Sequence, residues 1–252
     1  MDIKPRLRLA PSPTGFLHLG NFRTALFSYL LAKHWGGELI LRIEDTDNKR
    51  EVVGAVESLL KVLETMSISF TEGPHIGGQY APYIQSQRLD LYKKYAYQLV
   101  EQGKAYYCFA TAEELEAMRQ EQTAAHLPPR YDRRYRNLPL TEAKEKIAAG
   151  EKYVIRQAMP LEGNIIVHDE LRGDITFQAS ELEDHILLKS DGWPTYQLAS
   201  VVDDHEMNIT HVTRGDEWLP SLPKNILLYQ AFGWKTPLFI HFPLILNKVG
   251  GG

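Results

Sequence analysis

Ala10-Pro11-Ser12-Pro13-Thr14-Gly15-Phe16-Leu17-His18-Leu19-Gly20-Asn21 is the stretch that decides how this chain is read. Just before the prolines, Leu7-Arg8-Leu9-Ala10 reads as a short strand, and Pro11 and Pro13 end it by removing amide donors. From Leu19 onward, apolar residues recur at helical spacing: Leu19, Phe22, Leu26, Tyr29 and Leu30. A strand therefore runs through a stiff Pro/Ser/Thr loop into a helix. Amides at a helix start point outward and favour anions, phosphates above all. His18 can donate to a phosphate, and Gly20 lets a nucleotide approach the backbone. Taken singly, His18 reads first as a packed histidine at a capped helix start; the whole string is what points to phosphate binding.

Working outward, Gly36-Gly37 stops that helix, and Glu38-Leu39-Ile40-Leu41-Arg42-Ile43 reads as a second strand. Residues 51–65 predict an amphipathic helix with Val52, Val56, Leu59, Leu60 and Leu63 on one side. Strand, helix, strand, helix with short connections implies a parallel sheet with crossover helices. After about Ser86 the pattern changes. Helices are expected over 87–101, 112–122 and 141–149, with short strands over 105–109, 153–156, 165–168, 175–177 and 186–188. The alternation returns with a helix over 196–202, a strand over 209–213, a helix over 222–232 and a strand over 239–241. The expected class is α/β, with one nucleotide-binding domain split by an α+β insertion: 1–88 and 195–252 form the two halves, and 89–194 the insert.

Composition narrows the class further. The 252 residues are 44% hydrophobic and 24% charged, which is ordinary for a globular chain. Cys108 is the only cysteine, so no internal disulfide can form, and a reducing, cytoplasmic setting is expected. No apolar run approaches the ~20 residues that cross a bilayer. The net charge of −4 argues against a dedicated nucleic-acid coat protein. A local phosphate-binding face is still allowed: Arg130, Arg133, Arg134 and Arg136 fall in seven residues with Tyr131 and Tyr135, which also fits a solvated basic loop.

The quoted string, with His18-Leu19-Gly20-Asn21 at its end, resembles the first signature of class I aminoacyl-tRNA synthetases, usually written HIGH. Ala10-Pro11-Ser12-Pro13-Thr14-Gly15 resembles the glutamyl branch; Asn21 departs from the motif's last histidine. The likeness continues through Arg42-Ile43-Glu44-Asp45-Thr46-Asp47, Tyr83-Ile84-Gln85-Ser86-Gln87-Arg88, Leu187 to Tyr196, Val201 to His205, Thr213 to Leu219 and Leu228 to Trp234. It implies a Rossmann-type class I domain interrupted by an acceptor-stem-binding insertion. The activity it implies is ATP-dependent activation of L-glutamate to glutamyl-adenylate, followed by transfer to the 3′ end of tRNA.

Site residues follow from the resemblance. The chemistry itself falls to Thr14, His18 and Gly20. Arg8, Ala10, Ser12, Glu44, Tyr196 and Arg214 line the glutamate pocket. ATP, taken with Mg²⁺ as substrate, meets Pro11, Thr14, Gly15, His18, Gly20, Asn21, Glu217 and Trp218. Asp47, Arg50, Arg130, Arg133, Arg134 and Arg136 face tRNA. The residue types suit these roles: the guanidinium forks match carboxylates, and the Glu44 carboxylate matches an ammonium. Without the family context, Arg8 reads as a strand-edge arginine, and Glu44 to Asp47 as a solvated strand end or a metal-binding loop. Ser200 stands where the family often has asparagine. Asp203-Asp204-His205 has a metal triad's composition, but the resemblance makes it a brace around the pocket.

Some relatives hold zinc in the insertion through a Cys-x-Cys pair. Here Ala110 stands where the second cysteine would be, and one thiolate cannot close a four-ligand site. No structural zinc and no other metal site is expected. The partners implied are L-glutamate, ATP and the tRNA for glutamate, with that for glutamine left open, no membrane, and a monomer. Relatives continue with a lysine-rich KMSKS-like loop and anticodon-binding domains beyond the region that ends at Gly252, so this stretch alone is expected to be weakly active or inactive. The rival readings are the related enzyme that glutamylates a queuosine base, whose usual features include Ser-Gly in place of Thr14-Gly15, and a tRNA- or substrate-binding fragment without catalysis.

Overall fold

The computed structural model describes residues 4–15, 19–47, 50 and 52–245. His18 lies outside these residues. The described residues divide into two compact units. The first holds Met1–Arg88, Ile166–Thr176 and Ala199–Gly252; the second holds Leu89–Ile165 and Phe177–Leu198.

The first unit is built on a four-stranded sheet in the order β2-β1-β8-β9, and every recorded pairing is parallel. These strands are β1 (Arg6–Leu9), β2 (Glu38–Leu41), β8 (His211–Gly215) and β9 (Leu238–Phe242). Helix α1 (Leu19–His34) joins β1 to β2, and α7 (Leu222–Phe232) joins β8 to β9. Side chains alternate across β1 because successive residues of a strand face opposite ways. Leu7 and Leu9 enter a core with Ala25, Leu39, Leu41, Leu59 and Leu63. Arg6 and Arg8 carry the other alternation: Arg8 meets Asp204 on α6 (Tyr196–Glu206), and Arg6 donates to Met207 O just past its end. The sheet is thus buried on both faces, one apolar and one ionic.

Several boundaries moved from their sequence-based positions, α6 running on to Glu206 among them, and three moved for a plain local reason. Helix α2 runs Ala55–Thr65, not from residue 51. Gly54, at φ 81°, holds a left-handed conformation that keeps the chain non-helical before it, and the Val52 amide donates to Pro13 O at 2.8 Å. Val52 therefore pins the proline loop rather than joining the helix face. The expected helix over 87–101 begins as a 3-10 turn at Gln85–Arg88 and becomes α3 only at Leu89–Glu101. There the Gln85 and Ser86 amides are held by Ile43 O and the Asp45 carboxylate. β8 starts two residues later than expected, since the Ile209 amide closes the end of α6 on Asp204 O. That shift puts Arg214 inside the strand.

The second unit contains α3, β3 (Ala105–Cys108), α4 (Ala112–Ala124), α5 (Leu140–Ala148), β4 (Val154–Gln157) and β7 (Ile186–Leu188). Strands β3, β4 and β7 form an antiparallel sheet. Thr111 caps α4 in a reciprocal box with Glu114. Strands β5 (Asn164–Asp169) and β6 (Gly173–Gln178) form a hairpin whose tip, Ile166–Thr176, clusters with the first unit. Among the described residues, no helix is long and apolar enough to cross a membrane.

Asp184 organises the second unit. It is fully buried, and its two oxygens accept from Tyr106 Oη at 2.8 Å, Arg133 Nε at 3.1 Å, Arg136 Nη1 at 3.0 Å and the Met159 amide at 3.2 Å. Burial, then the Asp184 charge and its hydrogen bond, push the Tyr106 phenol far above its ordinary range. Replacing this carboxylate would leave two guanidinium groups and a phenol without their shared acceptor. Asp184→Ala should therefore cost about 3 kcal/mol or more in urea unfolding; a loss under about 1 kcal/mol would show that water replaces the carboxylate freely.

Candidate active site

The connections after β1 and β8 run in opposite directions. β1 leads through α1 to β2 on one side; β8 leads through α7 to β9 on the other. The crevice beyond the carboxyl ends of such a strand pair is where open α/β sheets take their ligands. Here the loop after β1 is the Ala10–Gly15 string, and the turn after β8 is the 3-10 segment Asp216–Ser221.

The ladder extends past β2 on this side. The Arg42 amide donates to Leu9 O at 2.9 Å and the Glu44 amide to Pro11 O at 3.0 Å. Ser12 Oγ then donates to Glu44 O at 2.9 Å. The proline loop and the Glu44 segment are one hydrogen-bonded layer. Because the extended chain alternates, Arg42 and Glu44 share the face that Arg6 and Arg8 occupy on β1.

That face is ionic and largely buried. Arg42 is 0% exposed. Its Nη2 lies 2.8 Å and its Nε 3.2 Å from Glu44 Oε1, and its Nη1 lies 2.8 Å from Asp204 Oδ1. Arg8 Nε donates to the same Asp204 oxygen at 3.0 Å. Asp203, the preceding residue on α6, takes Gln85 Nε2 at 2.9 Å and Arg88 Nε at 2.8 Å. Burial would lower the Arg42 pKa, but Asp204, Glu44 and Asp203 outweigh it and keep the guanidinium charged. Burial would raise the Asp204 pKa, but Arg8 and Arg42 hold it below the usual carboxylate range. At Glu44 burial wins: its pKa rises despite Arg42 and Arg8. Asp203 and Asp204 hold guanidinium groups, while His205 turns away to stack on Trp234 with ring centroids 3.7 Å apart.

Arg214, one residue before the end of β8, is 5% exposed. Its Nη1 lies 3.5 Å from Asn225 Oδ1 on α7, and its guanidinium sits over the Trp218 and Phe239 rings. Tyr229, also on α7 and buried, feels the charges of Asp204, Arg8, Arg214 and Arg42. His241 pairs with Arg214 across β8 and β9. It is fully buried, with Nδ1 2.7 Å from Asp169 Oδ2, and Asp169 also accepts from the Leu171, Arg172 and His241 amides. The hairpin tip is thereby tied to the end of the sheet.

A family model described as tRNA synthetases class I (E and Q), catalytic domain, matches residues 4–251. The chain belongs to this family. Curated members resemble it over almost its whole length. The protein named glutamate–tRNA ligase of Fusobacterium nucleatum is 52% identical over 249 residues, which cover 98% of this chain and 49% of that protein. That of Clostridium botulinum is 52% identical over 247 residues, covering 98% and 51%. The crystal structure of a glutamate tRNA ligase from Elizabethkingia meningosepticum in complex with its amino acid superposes with a TM-score of 0.95 at 47% identity. It covers 99% of this chain and 51% of that one. This catalytic-domain chain therefore spans about half the length of the relatives it matches.

For this class I domain, Arg8 bonds Asp204 directly, Glu44 is joined to it through Arg42, and Asp204 also feels the Arg214 charge, with Ser12 bonded to the Glu44 backbone. Pro11, Ser12, Gly15 and Asn21 line one recess with Ala55, Val56 and Leu59. Ala10 is half-buried between β1 and that loop, Thr14 is exposed, and Gly20 lies in the first turn of α1. Glu217 and Trp218 are exposed on the turn after β8. Tyr196 opens α6 and falls in the second unit. Asp47 and Arg50 form an exposed ion pair. In the basic segment, Arg133 and Arg136 hold Asp184, Arg134 pairs with Asp132, and Arg130 bonds Ser180 O. Sequence reasoning missed Arg42, Asn225, Tyr229 and the Asp169–His241 pair as parts of the site. The alternation of Arg42 with Glu44 was the one signal available; the others meet only in three dimensions.

The buried imidazole has a consequence for pH. Burial, aided by Arg214, holds the His241 pKa below its ordinary value against the opposing Asp169 bond. His205 and His211 are also lowered by burial. An unfolded chain takes up these protons first, near pH ~6.5, so stability should fall as pH drops below that value. A Tm series from pH 7.5 to 5.5 should decline, and less steeply in His241→Gln. A Tm that rises toward pH 5.5 in the wild type would contradict the neutral imidazole.

Proposed function

We propose that the full protein to which this catalytic domain belongs is a glutamate–tRNA ligase. It activates L-glutamate with ATP, carried as its Mg²⁺ complex, and transfers the glutamyl group to tRNA. The observation that carries this reading is Glu44 set beside Arg8 and Arg42, with Asp204 between them and the Arg214 charge, at the switch point of the sheet, in a chain about half identical to proteins of that name. Glutamate offers one ammonium and two carboxylates, and this charge set is its complement. Glu44 Oε1 is committed to Arg42, which leaves Oε2 for the ammonium. Arg214 is the fork for a carboxylate, and Arg8, oriented by Asp204, stands beside it.

In the first half-reaction a carboxylate oxygen of glutamate attacks the α-phosphorus of ATP and pyrophosphate leaves. No side-chain nucleophile is required. The domain's task is to hold two anions in line and to meet charge on the phosphates with positioned donors. The Pro11–Asn21 segment and the start of α1 are our assignment for that role, with His18, Thr14 and Gly20 in it. In the second half-reaction the terminal ribose hydroxyl of tRNA attacks the activated carbonyl and AMP leaves. For the tRNA we assign the inserted unit, with Arg130 and Arg134 as contacts, since Arg133 and Arg136 also serve Asp184; Asp47 and Arg50 lie on the other unit. Soluble, monomeric, cytoplasmic behaviour fits this reading.

Glutamine lacks the charge that pairs with Arg214, so discrimination should rest on this residue. In the full-length enzyme Arg214→Ala should lower kcat/KM for glutamate about a hundredfold or more while ATP affinity changes little. Equal kinetics for mutant and wild type would remove Arg214 from the pocket. Cys108, in the second unit, is buried with its thiol 3.2 Å from Tyr131 Oη. We propose that this pair stands in place of a zinc site. Elemental analysis of the purified protein should find no stoichiometric zinc, and one tightly held zinc per chain would reverse that assignment.

A further inference from the structure

The ionic face of the first unit contains a residue that the glutamate reading does not use. Arg42 is sealed from solvent beneath Glu44 and has no route to a substrate in the crevice. Its contacts are specific in a way packing does not require. Both Nε and Nη2 fall on one oxygen of Glu44, and Nη1 falls on the Asp204 oxygen that also receives Arg8. Asp204 in turn is fixed on α6 beside Asp203, which Gln85 and Arg88 hold. The four side chains Glu44, Arg42, Asp204 and Arg8 therefore form one continuous chain of charge-assisted hydrogen bonds. One end is the group for an ammonium, and the other is a fork for a carboxylate.

We propose that Arg42 is the positioning residue of this site, holding Glu44 and, through Asp204, Arg8 in one shared geometry, so that recognition of the substrate's ammonium and of its carboxylate is set by a single buried guanidinium. The proposal rests on the glutamate reading above and deepens it. A glutamate whose Oε1 is clamped from below presents Oε2 in a fixed direction and loses no rotamer freedom on binding. A shared acceptor makes the two ends interdependent: moving Asp204 to suit Arg8 pulls on Arg42, and Arg42 pulls on Glu44. The planar fork of arginine is what allows this; a lysine ammonium, a point charge, could approach both carboxylates but could not reproduce the paired contact on Glu44.

The same geometry sets the acid side of substrate binding. Among the described residues, the charged groups facing Glu44 are Arg42 from its own segment, Arg8 from β1 and Asp204 from α6. Only the ionised carboxylate attracts an ammonium, so affinity falls as pH drops through its pKa. Burial already lifts that value, and loss of Arg42 takes away the larger of the two cations that oppose the lift. The acid loss of binding should therefore move to higher pH when Arg42 is replaced.

The test is calorimetric titration of the full-length protein with L-glutamate and, separately, with ATP, from pH 5 to 8. It compares wild type, Arg42→Gln and Arg42→Lys. Arg42→Gln should weaken glutamate about thirtyfold or more at pH 7, leave ATP within about threefold, and shift the acid limb of the glutamate profile upward. Arg42→Lys, which keeps the charge, should return the acid limb toward wild type yet recover only part of the affinity. If Arg42→Gln fails to fold, the lysine variant decides: partial affinity with a near-normal acid limb supports the proposal. Wild-type glutamate affinity and profile in a folded variant would overturn it. So would a parallel loss of glutamate and ATP binding with an unmoved acid limb, the mark of a merely structural residue. A wild type that binds ATP but not glutamate would overturn the functional reading together with the proposal.

Discussion

A guanidinium with no access to water must find its counter-charges inside the protein, and Arg42 sets that demand at the centre of the first unit. An unpaired charge there would be prohibitively costly, so the fold around it is over-determined. α6 has to bring Asp203 and Asp204 onto the sheet face that Arg8 and Arg42 share. The Glu44 segment has to run on past β2 in register with Leu9 and Pro11. Gln85 and Arg88 have to take up the far carboxylate. Helix, strand extension and 3-10 turn, scattered over some of the longest sequence separations in the chain, thus answer one electrostatic requirement.

The apolar face of the same sheet works differently. Leu7, Leu9, Leu39, Leu41, Ala25, Leu59 and Leu63 need only volume and burial, and substitutions there would be judged by cavity and fit. The ionic face needs direction. Polar groups at low dielectric are strongly coupled when satisfied and strongly destabilising when not. That asymmetry divides the labour: one side of the sheet provides rigidity by packing, and the other fixes charges in space. The hairpin tip at Ile166–Thr176 adds a further tie, since Asp169 gathers four donors including both His241 nitrogen contacts and the Arg172 guanidinium pairs with Asp216.

The basic segment is instructive in the opposite sense. As sequence, Arg130 to Arg136 looks like a free positive patch. In the structure two of its four arginines are spent on Asp184, a residue some fifty positions away. Charge counted along the chain overestimates charge available at the surface, because the partner that neutralises it need not be nearby in sequence.

The sequence by itself determined the fold class, nearly all the helices and strands, and the family, because these depend on local period, on Pro and Gly at fixed offsets, and on strings such as Ala10 to Asn21 whose residues lie side by side. It also marked Arg8, Glu44 and Arg214. Only the tertiary structure decided what holds them. That Arg8 and Arg42 meet on one oxygen of Asp204, that His241 leans on Asp169, and that α2 begins after Gly54 rather than at residue 51 are outcomes of pairing between distant segments. The physical reason is range. Backbone propensity and hydrophobic period act over a few residues and can be read in order, whereas a buried ion pair is settled by which carboxylate the completed fold carries within about 3 Å of a guanidinium, whatever their distance along the chain.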